Sequence, residues 1–138
     1  MRGRAGVQRQ RSPSPLRSGF EIVEQVRASP KRLVFNAKGG YDAFILSNDS
    51  TGVKYGFKIM STDNDFFKFT PIIGFLSASS AVKIHVLREF LFERGPQASG
   101  DRCEILFKRV DRNMNDPVAV FAGKPVPDCI LQVELVTR

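Results

Sequence analysis

The sequence predicts an all-β domain, arranged as an immunoglobulin-like β-sandwich of about seven strands. Two observations support this prediction. Short runs of apolar and polar residues alternate with the two-residue period of half-buried strands. Clusters of turn-forming residues, such as the polar run from Ser47 to Gly52, separate these runs at intervals of roughly eight to twelve residues. With 138 residues, the chain is long enough for one such domain with its own core.

The most informative stretch begins with a strand predicted over Val53–Met60. Its alternation places Tyr55, Phe57 and Ile59 on the buried face and the residues between them on the opposite face. The polar segment 61–65 follows and supplies a turn, because serine, aspartate and asparagine side chains hydrogen-bond the nearby backbone. The sequence therefore predicts that the strand Val53–Met60 is followed by a short turn and then by a partner strand.

The partner strand is predicted over Phe66–Thr70 and ends at Pro71, since proline cannot donate a hydrogen bond to a neighbouring strand. Phe66 and Phe67 are adjacent, so only one of them is expected to enter the core. The other is a candidate anchor for a partner protein. The apolar run Ile72–Leu76 is predicted to be a short link.

The remaining elements follow from the same alternation. A helical turn is expected near Val118–Phe121, inside an otherwise polar stretch. The other predicted strands cover Phe20–Val26, Leu33–Phe35, Tyr41–Leu46, Ala81–Leu87, a segment that points Cys103, Ile105 and Phe107 inward, and a last segment that points Cys129, Leu131, Val133 and Leu135 inward. No apolar run approaches the roughly 20 residues of a membrane-spanning helix.

The net charge of +7 is unevenly distributed. Residues 1–17 contain five arginines and no acidic residue, so the other 121 residues carry only about +2. Residues 1–18 have almost no apolar side chains apart from Val7 and Leu16, and we expect a disordered basic tail that precedes a folded domain over 19–138. Because the folded part is nearly neutral, direct nucleic-acid binding is disfavoured.

No arrangement of residues in the sequence points to catalysis. Cys103 and Cys129 lack the spacing of a metal site and are expected to be buried thiols, with one disulfide as the alternative. His85, the only histidine, lies on the outward phase of its strand, and spacing nominates no nucleophile or acid beside it. We therefore expect no catalytic residue, no metal and no cofactor.

The residues themselves resemble a known family. The successive segments Arg32–Asn36, Leu46–Asn48, Gly56–Thr62, Phe69–Pro71 and Gly74–Leu76 are similar to those of the major sperm protein (MSP) domain. The resemblance runs from about Phe20 to Leu135. It is greatest for the small nematode sperm-specific class P proteins and extends more distantly to the VAP proteins of the endoplasmic reticulum. It implies a seven-stranded immunoglobulin-like sandwich, which agrees with the strand pattern.

In the VAP-type members, this resemblance implies a basic sheet face that binds acidic, FFAT-type peptides. The matching residues here are Lys58, Ser61, Thr62 and Arg102, whereas Met60 replaces a lysine of that pattern. The family fold would also place Glu104 at an apolar position of the same face. A carboxylate there would cost an acidic peptide on the order of 1–3 kcal/mol of binding free energy.

Two functions are therefore expected from the resemblance. The first is a non-enzymatic interaction module that associates with itself or with other MSP-domain proteins in the cytoskeletal or signalling assemblies of the sperm cytoplasm. The alternative is a VAP-like adaptor that binds acidic peptides. In both, the candidate partner-binding residues are Lys58, Met60, Ser61, Thr62, Arg102 and Glu104.

Overall fold

A computed structural model describes residues 24–90 and 100–138. The described residues form nine strand segments and one short helix. In chain order these are β1 Val26–Ser29, β2 Arg32–Phe35, β3 Gly40–Asn48, β4 Lys54–Ser61, β5 Phe67–Thr70, β6 Ile73–Leu76, β7 Ser80–Arg88, β8 Asp101–Val110, α1 Pro117–Ala122 and β9 Cys129–Thr137.

The strands form two sheets that pack face to face as a sandwich. One sheet has four strands in the order β1-β3-β7-β5, and the other has five in the order β2-β9-β8-β4-β6. All neighbouring strands are antiparallel except β2 and β9, which are parallel. The predicted immunoglobulin-like sandwich is confirmed.

Two consecutive pairs of short strands pass from one sheet to the other. β1 and β2 lie on either side of Pro30, and β5 and β6 lie on either side of Pro71; both prolines follow cis peptide bonds. Counting each pair as one strand gives seven. The prediction that Ile72–Leu76 is a link was wrong, because residues 73–76 pair with β4 as an edge strand.

The core consists of the inward residues of both sheets. As predicted, Tyr55, Phe57 and Ile59 of β4 are buried, and so are the predicted inward residues of β8. The predicted inward residues of β9 are buried or packed partly buried against the core. Burial of these apolar side chains supplies the main stabilisation of the fold.

Phe66 and Phe67 are both buried, so the prediction that one would be exposed was wrong. Phe67 lies on β5 and packs edge-on against Phe35, with ring centroids 5.6 Å apart. Phe66 precedes β5, where the chain is not constrained to strand alternation, and its ring centroid lies 4.7 Å from the Arg88 guanidinium carbon. The turn therefore lets both rings enter the interior.

Arg88 is a buried cation that links three parts of the chain. Its Nη1 donates to the carbonyl oxygens of Ala37 (2.8 Å) and Glu89 (3.1 Å), and its Nε donates to Thr137 Oγ1 (3.1 Å). Burial lowers the pKa of Arg88, and the carboxylates of Asp101 and Asp63 oppose this shift. The guanidinium thus donates hydrogen bonds to the β2–β3 turn, to the end of β7 and to β9, and joins these three parts of the chain.

The helical turn expected near Val118–Phe121 is confirmed as α1, and it covers part of the five-stranded sheet. Asp116 caps this helix through its Oδ1, which accepts a hydrogen bond from the Val118 N–H at 3.1 Å. A Cβ added to Gly56 would lie 3.2 Å from a methyl group of Val120. Gly56 is therefore buried under α1, although the alternation alone placed it on an exposed face.

The thiols of Cys103 and Cys129 are free, the former buried and the latter partly buried. In the part of the chain that the structure describes, no helix is long and apolar enough to cross a membrane. The predicted tail over 1–18 lies outside the described residues. Of the strand predicted over Phe20–Val26, only Val26 belongs to a described strand, β1.

Candidate functional site

The six candidate residues lie on or beside the outer face of the five-stranded sheet, at the end of β4 and the start of β8. Met60 is directly opposite Glu104 in the strand register. The Thr62 N–H donates to the Arg102 carbonyl oxygen at 3.0 Å, which continues the pairing of the two strands beyond Ser61. The structure therefore brings these residues together from segments about forty positions apart in the chain.

Five of the six residues line one shallow depression: Met60, Ser61, Thr62, Arg102 and Glu104. Its volume is about 150 Å³, well below the roughly 300–1,000 Å³ of a small-molecule or cofactor pocket. Such a depression can accept a single side chain of a partner but not a cofactor.

The hydroxyl groups of this site are already engaged within the chain. Ser61 Oγ accepts a hydrogen bond from the Asp63 N–H at 3.1 Å and so stabilises the turn after β4. Thr62 Oγ1 donates to Asp101 Oδ1 at 2.8 Å and accepts from the Arg102 N–H at 3.1 Å. The Thr62 hydroxyl therefore cannot donate to an external group without giving up its bond to Asp101, whereas the Ser61 hydroxyl can still donate.

Two ion pairs lie on the outer face, one within β8 and one between β2 and β9. Arg102 Nε lies 3.9 Å from Glu104 Oε2, which also accepts a hydrogen bond from Gln132 Nε2 at 3.2 Å. Arg32 Nε on β2 lies 3.5 Å from Glu134 Oε1 on β9. Around β2, β8 and β9 the face therefore carries charges of both signs, whereas the VAP-type pattern implies a basic face.

Lys58 lies apart from the depression, one outward position before Met60 on β4. Its strand neighbours are Leu106 on β8 and Ile73 on β6, and its side chain is half-buried between them. Lys58 forms no ion pair with any other described residue, so it is the candidate cation whose charge remains available to a partner.

A polar cluster closes one end of the sandwich and was not anticipated from the sequence. Arg109 Nη2 lies 3.3 Å from Glu24 Oε2 and 3.2 Å from Asp128 Oδ1, and the Tyr55 hydroxyl donates to Glu24. Burial raises the pKa of Tyr55 well above its usual range, and the hydrogen bond to Glu24 adds to this shift. These ion pairs join residues far apart in the chain, which sequence spacing could not reveal.

His85 lies on the outer face of the other sheet. Its Nδ1 shares a hydrogen bond with the Tyr41 hydroxyl, and the two rings stack with centroids 5.7 Å apart. These two contacts hold the imidazole and the phenol against each other on an exposed sheet face. Among the described residues, no three His, Cys, Asp or Glu side chains are grouped so as to hold a metal ion.

Comparison with known proteins identifies the fold and the family. The family model described as the MSP (Major sperm protein) domain matches residues 25–124, which include all strands from β1 to β8 and the helix α1. The chain belongs to the major sperm protein family. A curated relative of this MSP chain is sperm-specific class P protein 31 of Caenorhabditis elegans, which is 30% identical over 89 residues, or 64% of this chain and 78% of the relative.

Solved structures of MSP proteins share the fold. WR4, a C. elegans MSP family member, superposes with a TM-score of 0.73 at 21% identity, covering 84% of this chain and 100% of WR4. SSP-19, described as an MSP-domain-like protein of the same organism, gives 0.69 at 22% identity, covering 80% and 98%. The resemblance to nematode sperm proteins that the sequence indicated is therefore confirmed.

Proposed function

We propose that this MSP chain is a non-enzymatic protein-interaction module that associates with itself or with a related MSP domain. Its place would be in the cytoskeletal or signalling assemblies of the nematode sperm cytoplasm, as family membership suggests. The observation that supports the proposal best is the outer face of the five-stranded sheet. There, the Arg102–Glu104 pair lies beside the exposed side chain of Met60, and the Arg32–Glu134 pair lies further across the same sheet.

Charge of both signs suits association between copies. A twofold interface brings the same surface patch of each copy together, so a patch with a single sign of charge would repel itself. The Arg32–Glu134 and Arg102–Glu104 pairs can exchange partners across such an interface, because each cation can face a carboxylate of the other copy.

The same face offers apolar side chains for contact. Val34 on β2, Met60 on β4 and Ile130 on β9 are 44%, 50% and 50% exposed. Apolar positions between charged rims are the usual composition of an interface centre. The sheet edges are less suited to the role, because each edge segment has only four residues and ends at or near a proline.

The VAP-like alternative is less well supported by this surface. Arg102 already has a carboxylate partner, Met60 supplies no charge, and the hydroxyls of Ser61 and Thr62 are engaged internally. To reach Arg102, an acidic peptide would have to displace the Glu104 carboxylate, which repels it. Lys58 would be the one candidate residue left to attract it.

Light scattering of the full chain over a concentration series tests the proposal. We expect the mean mass to rise with concentration, and Met60→Glu to weaken this association at least about tenfold, because it puts a second carboxylate directly opposite Glu104. Val126→Glu is the matched control, since Val126 is 82% exposed in a loop. A mass that stays monomeric at every concentration would contradict self-association, and so would an equal effect of both substitutions.

A further inference from the structure

We propose that the outer face of the four-stranded sheet is a second docking surface, which binds an acidic protein segment carrying apolar side chains. This inference rests on the proposed function only in treating the chain as an interaction module, since it concerns the opposite sheet and a partner of different chemistry. We call this surface the β3–β7 face.

The strand register defines the β3–β7 face as a grid of outward side chains. The rows across the sheet, read from β5 through β7 and β3 to β1, are Lys68–Leu87–Tyr41, then Thr70–His85–Ala43, then Lys83–Ile45–Ser29, and last Ala81–Ser47–Arg27. On these strands the outward positions alternate with buried ones, so the listed side chains share one surface.

One end row of the β3–β7 face is apolar and aromatic. Tyr41 is 60% exposed and Leu87, its direct cross-strand neighbour, is 46% exposed. Tyr41 is held by its hydrogen bond and stacking contact with His85. A tyrosine that is already fixed in place loses little conformational entropy on binding, and tyrosine is among the residues that most often dominate binding energy.

One lysine, Lys68, lies in this row and a second, Lys83, lies two rows away on the same face. None of the outward positions of the four strands is Asp or Glu. Lys83 makes no hydrogen bond or ion pair with another described residue, and the Lys68 ammonium only donates to the Asn64 carbonyl oxygen at 2.7 Å. Arg27 differs, because its guanidinium is neutralised by Asp49 at 2.6 Å.

The sign of this charge selects the partner. Two copies of the β3–β7 face would place lysines against lysines, which disfavours self-association through it. The arginine-rich residues 1–17 of the same chain would also be repelled, because they contain no acidic side chain. The exposed aliphatic side chains of Ile45 and Leu87 favour a peptide over a nucleic acid, since a phosphate backbone offers them no apolar contact.

Fluorescence anisotropy with the full chain tests the inference. The probe is a labelled peptide in which glutamates alternate with leucine and phenylalanine. We expect Lys68→Glu with Lys83→Glu to weaken binding at least about tenfold, because two attractions become repulsions. Arg112→Glu with Lys124→Glu changes the net charge equally on exposed residues outside this sheet, and we expect a change of less than about twofold.

Two further arms separate the remaining explanations. A peptide with serine in place of leucine and phenylalanine measures the binding that any acidic chain gains from the arginine tail, and we expect it to bind more weakly than the probe. Lys83→Glu alone is the fallback if the double variant is destabilised, because the Lys83 side chain makes no contact that the substitution would break among the described residues. We expect it to weaken peptide binding by less than the double variant does. Weakening by Lys58→Glu instead would place the peptide on the five-stranded sheet and overturn the inference.

Equal binding of both peptides, or no effect of the Lys68 and Lys83 substitutions, would also overturn it. So would a labelled single-stranded oligonucleotide that competes with the probe and loses affinity in the same double variant. None of these results bears on the self-association measured by light scattering with Met60→Glu. The two proposals can therefore fail independently.

Discussion

Arg88→Met should destabilise the domain strongly, although the substitution keeps most of the aliphatic stem. Among its contacts, the guanidinium donates to Ala37, Glu89 and Thr137 and lies over the Phe66 ring. Each hydrogen bond from a charged donor contributes about 1.5–3 kcal/mol. The total loss is smaller than their sum, because the contributions are not additive and because water can replace the donor at the exposed Ala37. We expect a loss of about 3–5 kcal/mol, which is comparable with removing one partner of a buried ionic network.

Urea unfolding followed by far-ultraviolet circular dichroism measures this loss. With a slope of about 2 kcal/mol per molar urea, the unfolding midpoint should fall by roughly 1.5–2.5 M. Lys83→Met is the control on the same strand, because its side chain is exposed, and we expect a change within about 0.5 kcal/mol. A loss below about 1 kcal/mol in Arg88→Met would refute the claim that Arg88 links the β2–β3 turn to β7 and β9.

Two further predictions concern titrating groups. Burial alone would raise the pKa of Asp128, but the Arg109 N–H and the charges of Arg109 and Lys108 outweigh it and lower the pKa. This carboxylate therefore stabilises the fold at neutral pH, and the contribution is lost as the pH falls below about 4. The stability difference between the native chain and Asp128→Asn should shrink from pH 7 to pH 3, and a difference that stays constant would contradict this. Burial also raises the pKa of Cys103 to about 12, so iodoacetamide at pH 8 should alkylate Cys103 only after unfolding. Mass spectrometry of the alkylated peptides measures the labelled fraction of Cys103. Rapid labelling in the native state would contradict the burial of this thiol.

Much of the fold could be predicted because most strands carry a clear alternation. The inward set of β8 is an example, since Cys103, Ile105 and Phe107 are apolar residues at every second position and all are buried. The segment Ile73–Leu76 was missed because four residues after a proline carry too few positions to show a period. The burial of Phe66 was missed because it depends on a turn and on a distant arginine.

The candidate site could be predicted only in part. Family resemblance brought Met60 and Glu104 into consideration, and the strand register places them opposite each other. The sequence does not show which charges are paired, because Glu134 and Gln132 reach the face from a third strand. The β3–β7 face was also missed, since Tyr41 and His85 are far apart in the chain and meet only through the pairing of β3 with β7.

The most direct test of the central claim is an amide chemical-shift map of the full chain at low and high concentration. If the chain associates through the outer face of the five-stranded sheet, the shifts that change should cluster around Met60, Glu104 and Gln132. The amides of the four-stranded sheet should stay unchanged in the same titration. Changes confined to the edge strands, or no change over the whole concentration range, would contradict the proposed interaction surface.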